Sequence, residues 1–134
     1  MASDYGYDED KINTSLISGK QWDTVMKWIS YTKSYEDIID SRSFGNNIDS
    51  YALANIKEHG ILQVSGYSDM WKINNIYDLS GNLWEWTMEK YLQFIVYRGG
   101  FYQGSGVEFP VSFRQYSKDG SYVNVGFRVI LNVL

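Results

Sequence analysis

Cysteine is absent from this chain of 134 residues. No disulfide, thiolate nucleophile or cysteine metal site can form. Histidine occurs once, at His59, which rules against a histidine metal triad and supplies a Ser-His-Asp relay poorly. Positive charge is also scarce. A formal net charge of −4 without any run of Lys and Arg argues against nucleic-acid binding through phosphate neutralisation. No apolar stretch approaches the span of a bilayer, so membrane insertion is not expected. The segment Met1 to Lys11 is acidic and lacks the charged-then-apolar order of a signal peptide. Repeats, linkers and low-complexity tracts are missing too.

What is present is enough for one domain with a real core. The apolar fraction is 44% and there are five tryptophans, a globular composition. Residues 1 to 13 form a polar leading segment, with Tyr5 and Tyr7 as its anchors. Asp8 and Asp10 open like a calcium loop, but Ile12 and Gly19 stand where a third oxygen ligand and the bidentate Glu belong, so it is not an EF-hand. Ser18-Gly19-Lys20-Gln21 is a capping box. Trp22, Val25, Met26 and Ile29 follow at helical spacing, with Trp28 at the edge of that stripe, and predict a core-facing helix. Tyr35 to Ile39 extends helical character, and Ser41 to Ser50 is loop. Tyr51 to Glu58 predicts a short helix stopped by Gly60, with His59 as a C-terminal helix residue favoured by the dipole. Ile61 to Val64 and Tyr91 to Tyr97 are strand candidates. Val123 to Leu134, broken by Gly126, is a candidate central closing strand.

The chain is organised around Asn75-Ile76-Tyr77-Asp78-Leu79-Ser80-Gly81-Asn82-Leu83-Trp84-Glu85-Trp86-Thr87. Gly81 and Asn82 tolerate the positive φ of a tight turn. Beyond the turn, alternation puts Trp84 and Trp86 on one face and Glu85 on the other. From periodicity alone this is a core strand with one polar residue, and Glu85 must be exposed, paired or bound to a cation.

This run resembles the signature of the formylglycine-generating-enzyme (sulfatase-modifying factor) superfamily. Tyr97-Arg98-Gly99-Gly100, Phe109-Pro110-Val111-Ser112-Phe113-Arg114 and Val125-Gly126-Phe127-Arg128-Val129 follow in the family's order. The resemblance implies an α+β, C-type-lectin-like fold: two helices, small antiparallel sheets and long loops. It also implies a test of activity. The family's enzymes use a pair of active-site cysteines and its non-haem iron members use clustered histidines, and this chain supplies neither. Asp78 and Glu85 remain as an acid/base pair without an accompanying nucleophile or cofactor motif, so no catalytic residue is assigned. Calcium-binding members bind their ion at the Gly-Asn-x-Trp-Glu region. By position the ligands here would be Asn82 and Glu85, with backbone oxygens of Ser80 and Leu83; the alternative is that Glu85 pairs with Arg98, Arg114 or Arg128. No other cofactor is expected.

Residues 101 to 125 are the least scaffold-like part. Six of these 25 are aromatic, interleaved with Gly, Ser, Asp and Asn. Adaptable binding surfaces use this mixture, and no single helix or strand period accommodates it. The plainer alternative is a long loop whose aromatics, Phe109 and Phe113 above all, fold back onto the sheet. Here the chain is most similar to the variable proteins of diversity-generating retroelements of bacteria and their phages. In those proteins, positions between an Arg-Gly-Gly and a Gly-Phe-Arg-Val element are rewritten by adenine mutagenesis. Phe101, Tyr102, Gly104, Phe113, Tyr116, Ser117, Asp119, Tyr122, Val123 and Asn124 are of the right types in that interval. The implied role is a non-catalytic receptor-recognition domain. Its ligand would be a protein or glycan on a cell surface, and its place extracellular, on a cell surface or on a virion. A structural domain of such a surface or virion protein is the second expectation.

Overall fold

The computed structural model describes residues 11–51, 60–118 and 123–133. Strand β1 (Ile12–Leu16) leads into α1 (Gly19–Thr32) and a four-residue α2 (Glu36–Ile39). After a 3₁₀ turn at Asp69–Trp71 come β2 (Lys72–Ile73), β3 (Ile76–Tyr77), β4 (Trp84–Tyr91), β5 (Phe94–Arg98), β6 (Arg114–Ser117), β7 (Val125–Phe127) and β8 (Val129–Val133). This is the expected α+β, C-type-lectin-like arrangement of two helices, small sheets and long loops.

The capping box sets the start of α1. Ser18 Oγ accepts from the Gln21 N–H at 3.2 Å, and Gln21 Oε1 accepts from the Ser18 N–H at 2.9 Å. Trp22, Met26 and Ile29 are buried on the predicted stripe, while Trp28 is exposed. They join Ile17, Phe44, Ile73, Leu79 and Val111 in the core. Burial of Met26 and Ile29 contributes roughly 2 kcal/mol each. The Trp22 indole N–H donates to Val111 O at 2.9 Å, so this buried ring leaves no orphan donor.

The main sheet has the order β6-β5-β4-β7, with β4–β5 and β5–β6 antiparallel and β4–β7 parallel. A separate ribbon pairs β1 with β8, from Ile12↔Val133 to Leu16↔Val129. Several expectations need correction. Val123 to Leu134 is not one central strand: β7 edges the main sheet and β8 pairs with β1. The break falls at Arg128, not at Gly126 within β7, because the Arg128 side chain turns in to meet Glu85. Tyr91 to Tyr97 is the end of β4, a turn and β5; Leu92 takes the positive φ of +54° there, a turn position that no Gly or Asn announces. Residues Ile61 to Val64 do not form a strand. Asn46 Nδ2 donates to Ile61 O at 2.8 Å, and Asn82 binds Gln63 N and O at 3.0 and 2.9 Å, so two side-chain amides stand in for a neighbouring strand. The expected helix over Tyr51 to Glu58 and the placement of His59 lie outside the described residues, apart from Tyr51 itself, and so do residues 1 to 10.

Candidate functional site

The turn expected at Ser80-Gly81-Asn82 is present and fixes the whole site. Gly81 has φ +73° and Asn82 φ +57°. The Gly81 N–H donates to Gly99 O at 2.7 Å and the Asn82 N–H to Asn46 O at 3.0 Å, tying the start of β4 to two other segments. From there, register decides which side chains share a face, because directly paired residues in a sheet point the same way.

One cross-strand row is Gln115, Tyr97, Trp86 and Phe127; the next contains Trp84 and Val125. Trp84 and Trp86 thus share a face as alternation predicts, both meeting Tyr97 edge-on with ring centroids 5.2 and 5.1 Å apart. Phe101 stacks on Trp84 at 5.9 Å, and Phe109 and Phe113 approach it at 5.7 and 6.2 Å. Tyr102 flanks Phe101 at 6.3 Å. Trp86, Phe101, Tyr102 and Phe113 are half-buried and Phe127 is 69% exposed, so this aromatic face is open to solvent at its β7 side.

The sequence-predicted residues divide around this face. Phe101, Tyr102 and Phe113 belong to it. Gly104 is buried in packing: a Cβ there would sit 2.7 Å from the Phe101 ring, and its carbonyl accepts from the Ile48 N–H. Tyr116 and Ser117, adjacent on β6, point to opposite faces. Tyr116, 48% exposed, packs on Tyr91 and Phe94 at 5.2 and 5.3 Å on the far side. Val123 is 97% exposed, and Asn124 O accepts from the Trp84 N–H at 3.0 Å. Asp119 and Tyr122 lie outside the described residues. Sequence reasoning missed Gln115, Trp86 and Phe127 as surface candidates. The signal lies in the alternation of Trp84-Glu85-Trp86 and of Val125-Gly126-Phe127, runs whose composition alone reads as scaffold strand.

The opposite face is charged. Its row is Arg114, Arg98, Glu85 and Gly126. Arg98 is fully buried and donates to Asp23 and Glu89, both at 3.1 Å, and to Ser112 O at 3.2 Å. Arg114 reaches the same two carboxylates at 2.6 and 2.8 Å. This four-charge ring clamps α1 to the sheet, with the Arg98 guanidinium 5.5 Å above the Trp22 ring.

Glu85, 7% exposed, accepts from Arg128 Nε at 3.2 and 2.9 Å on its two oxygens and from Nη2 at 2.6 Å. Of the three arginines considered for it, Arg128 is the hydrogen-bond partner. Arg128 Nη2 also donates to Tyr77 O at 2.9 Å. Burial lifts the Glu85 carboxyl above its ordinary range, against the opposing pull of Arg128. A raised folded-state value means the folded chain binds the proton more readily than the unfolded chain. The stability Glu85 contributes is therefore full below about pH 4.3 and falls as pH rises through the folded value. Glu85→Gln should remove this slope, which urea midpoints of both chains across that pH window will check.

The calcium ligands suggested by resemblance do not fit that ion as placed. Asn82 Oδ1 already accepts from Gln63 N at 3.0 Å and Asn46 Nδ2 at 3.3 Å, and both Glu85 oxygens face Arg128. Among the described residues no group of three His, Cys, Asp or Glu is placed to hold a metal ion. Asp78 lines the same cleft as Glu85, with its Oδ2 accepting from Ser65 Oγ at 3.1 Å and Gly66 N at 2.7 Å.

Among known proteins, residues 18–133 match the family model of the sulfatase-modifying factor enzyme 1-like domain. Neither curated proteins nor solved structures give a match.

Proposed function

The chain belongs to the sulfatase-modifying factor enzyme 1-like domain family, and within it we propose a non-catalytic ligand-binding domain that recognises its partner through the aromatic face of the main sheet. The observation that carries this reading is the row Gln115–Tyr97–Trp86–Phe127, three aromatics and an amide in register, ending in an exposed phenyl ring. An aromatic surface left open beside a rigid sheet is what recognition sites use as low-entropy anchors. The absence of cysteine supports a binding role over the chemistry of the family's enzymes. We extend the proposal to the diversity-generating-retroelement subgroup, with Phe101, Tyr102, Phe113 and the exposed Val123 as diversified positions. The ligand is a protein or glycan on a cell surface, and the domain acts on a bacterial surface or a virion.

The second reading, a structural domain of such a surface or virion, is favoured by the packing of Phe101, Phe109 and Phe113 on Trp84. Phe127→Ala separates the two. Its exposed ring contributes little to folding, so the melting midpoint should barely move. If the aromatic face is the binding site, retention of the labelled domain on intact bacterial cells or on a glycan array should fall by about thirtyfold or more, the scale of an anchor residue. A variant that binds as well as the parent defeats the binding reading. A reverse-transcriptase gene beside a near-copy of the segment encoding residues 101–125 would test the subgroup separately.

A further inference from the structure

The ribbon of β1 and β8 leaves a strand edge that the binding reading does not use. On its inner side Ile130 packs against the core, and Asn132 accepts from Gln21 Nε2 at 2.9 Å and donates to Ser15 Oγ at 3.1 Å. Alternation then sends Val129, Leu131 and Val133 outward, where all three are exposed, with Leu16, Thr14 and Ile12 across from them. The edge of β8 away from β1 is open: among the described residues no backbone hydrogen bond joins 129–133 to any other segment. Every second residue of such an edge points its N–H and C=O away from the existing pair. The edges of the main sheet and of β1 differ. β6 carries Arg114 and runs into Lys118, and β7 is three residues with Gly126 at its centre. β1 is tied to β4 where the Met88 N–H donates to Ile17 O at 2.9 Å. Val129-Ile130-Leu131-Asn132-Val133 has no charge, no proline and no glycine, none of the features that keep a bare edge from pairing.

We propose that β8 is a self-association edge: it pairs antiparallel with β8 of a second copy of this chain, joining two ribbons into one four-stranded sheet. The backbone groups call for a strand, and the side chains favour this same strand. The register that pairs all five residues sets Val129 against Val133, Ile130 against Asn132, and Leu131 against its own copy on a twofold axis, an isologous contact. Apolar side chains then meet apolar ones along the outer face, while Ile130 and Asn132 keep the partners they have within their own copy. No charge meets a charge in this register, although each chain carries a net −4 that opposes association elsewhere. A two-stranded ribbon is marginal by itself and gains from becoming part of four strands. The contact is small, so the pairing is weak, with a dissociation constant on the order of 100 µM. It stands whether or not the aromatic face binds a ligand; if that face does, the dimer presents two of them.

Sedimentation velocity of the whole chain, from about 10 µM to about 1 mM, tests this. The parent's average mass should rise from 15.6 kDa toward twice that value. Leu131→Lys changes a side chain that is 55% exposed, so the parent's circular dichroism and melting midpoint should be kept. It sets two ammonium groups opposite each other on the axis, and association should weaken by about tenfold or more. Because the chain has no cysteine of its own, a single introduced thiol reports the register. Paired Cα atoms in an antiparallel ladder lie about 4.5 to 5.5 Å apart, within disulfide reach. Under mild oxidation Leu131→Cys should form a covalent dimer at least about tenfold faster than Tyr31→Cys, an exposed site near the C-terminal end of α1. Should Leu131→Lys fail to fold, the parent's mass and the cysteine pair decide. The proposal is overturned if the parent keeps the monomer mass at about 1 mM, if folded Leu131→Lys associates as the parent does, or if Leu131→Cys dimerises no faster than Tyr31→Cys.

Discussion

Gly81→Ala is expected to remove about 4 kcal/mol or more of stability, a large part of what a domain of this size has. Two costs add. At φ +73° an L-residue is strained by about 1 kcal/mol. The larger cost is steric, because a Cβ at Gly81 would lie 2.2 Å from Asn46 O, 2.5 Å from its carbonyl carbon and 2.8 Å from its nitrogen. These are backbone atoms, so no rotamer change relieves the overlap. The two segments must part, and with them go the hydrogen bonds from Asn82 N to Asn46 O and from Gly81 N to Gly99 O, each worth about 1 kcal/mol. Gly66 provides a matched control. Its φ is +77°, yet the nearest atom to its added Cβ is a Tyr77 ring carbon at 4.0 Å. Gly66→Ala should therefore cost only the strain, about 1 kcal/mol. Urea unfolding of both variants decides the matter: equal losses would show that the close approach to Asn46 is unimportant.

Asn82→Asp should be nearly as damaging despite changing a single group. The Asn82 amide accepts from Gln63 N and Asn46 Nδ2 through Oδ1, and donates to Gln63 O from Nδ2 at 2.9 Å. Aspartate replaces that donor with an oxygen facing a carbonyl and buries a charge whose neighbours include Glu85 and Asp78 along the same cleft. The expected loss at pH 7 is about 3 kcal/mol, the scale of an uncompensated buried charge. Burial and the nearby carboxylates must raise the new carboxyl's pKa, so the deficit should shrink as pH falls toward about 4, where a protonated oxygen can donate to Gln63 O again. A deficit that stays constant with pH would mean that the loss is one of shape and not of charge. Hydrogen exchange should show the backbone around Gln63 exposed first, since the lost amide N–H is the donor to the Gln63 carbonyl.

Much of this architecture is legible in the chain itself, and the reasons are local. Ser18 to Ile29 declares its helix through a cap and a 3.6-residue stripe, both signals carried within a dozen neighbouring residues. Gly81 and Asn82 declare a turn because few other residues accept their backbone angles. What escapes reading depends on distant partners. Ile61 to Val64 has strand-like composition, but its backbone is satisfied by the amides of Asn46 and Asn82, which no periodicity reveals. Leu92 occupies a turn position without turn chemistry, so a hairpin looks like one apolar run. The aromatic face was half visible. Alternation places Trp84 and Trp86 together, whereas Gln115 and Phe127 join them only through the pairing of β5 with β6 and of β4 with β7. Tyr116 and Ser117 show the converse: neighbours in a suggestive segment are sent to opposite sides once β6 forms.

The ribbon of β1 and β8 has a consequence for how this molecule comes into being. A ribosome presents Ile12–Leu16 early and Val129–Val133 late, and β7 reaches β4 only after the whole 101–125 excursion has emerged. Closing so long a loop costs little more entropy than closing one of half the length, but the search for distant partners is slow. Until the final strand arrives, nascent chains carry an open sheet edge and an unclosed aromatic cluster, the species most exposed to sticking together. The vulnerable interval in the life of this fold is therefore its synthesis, and the arrival of β8 opposite β1 is what ends it.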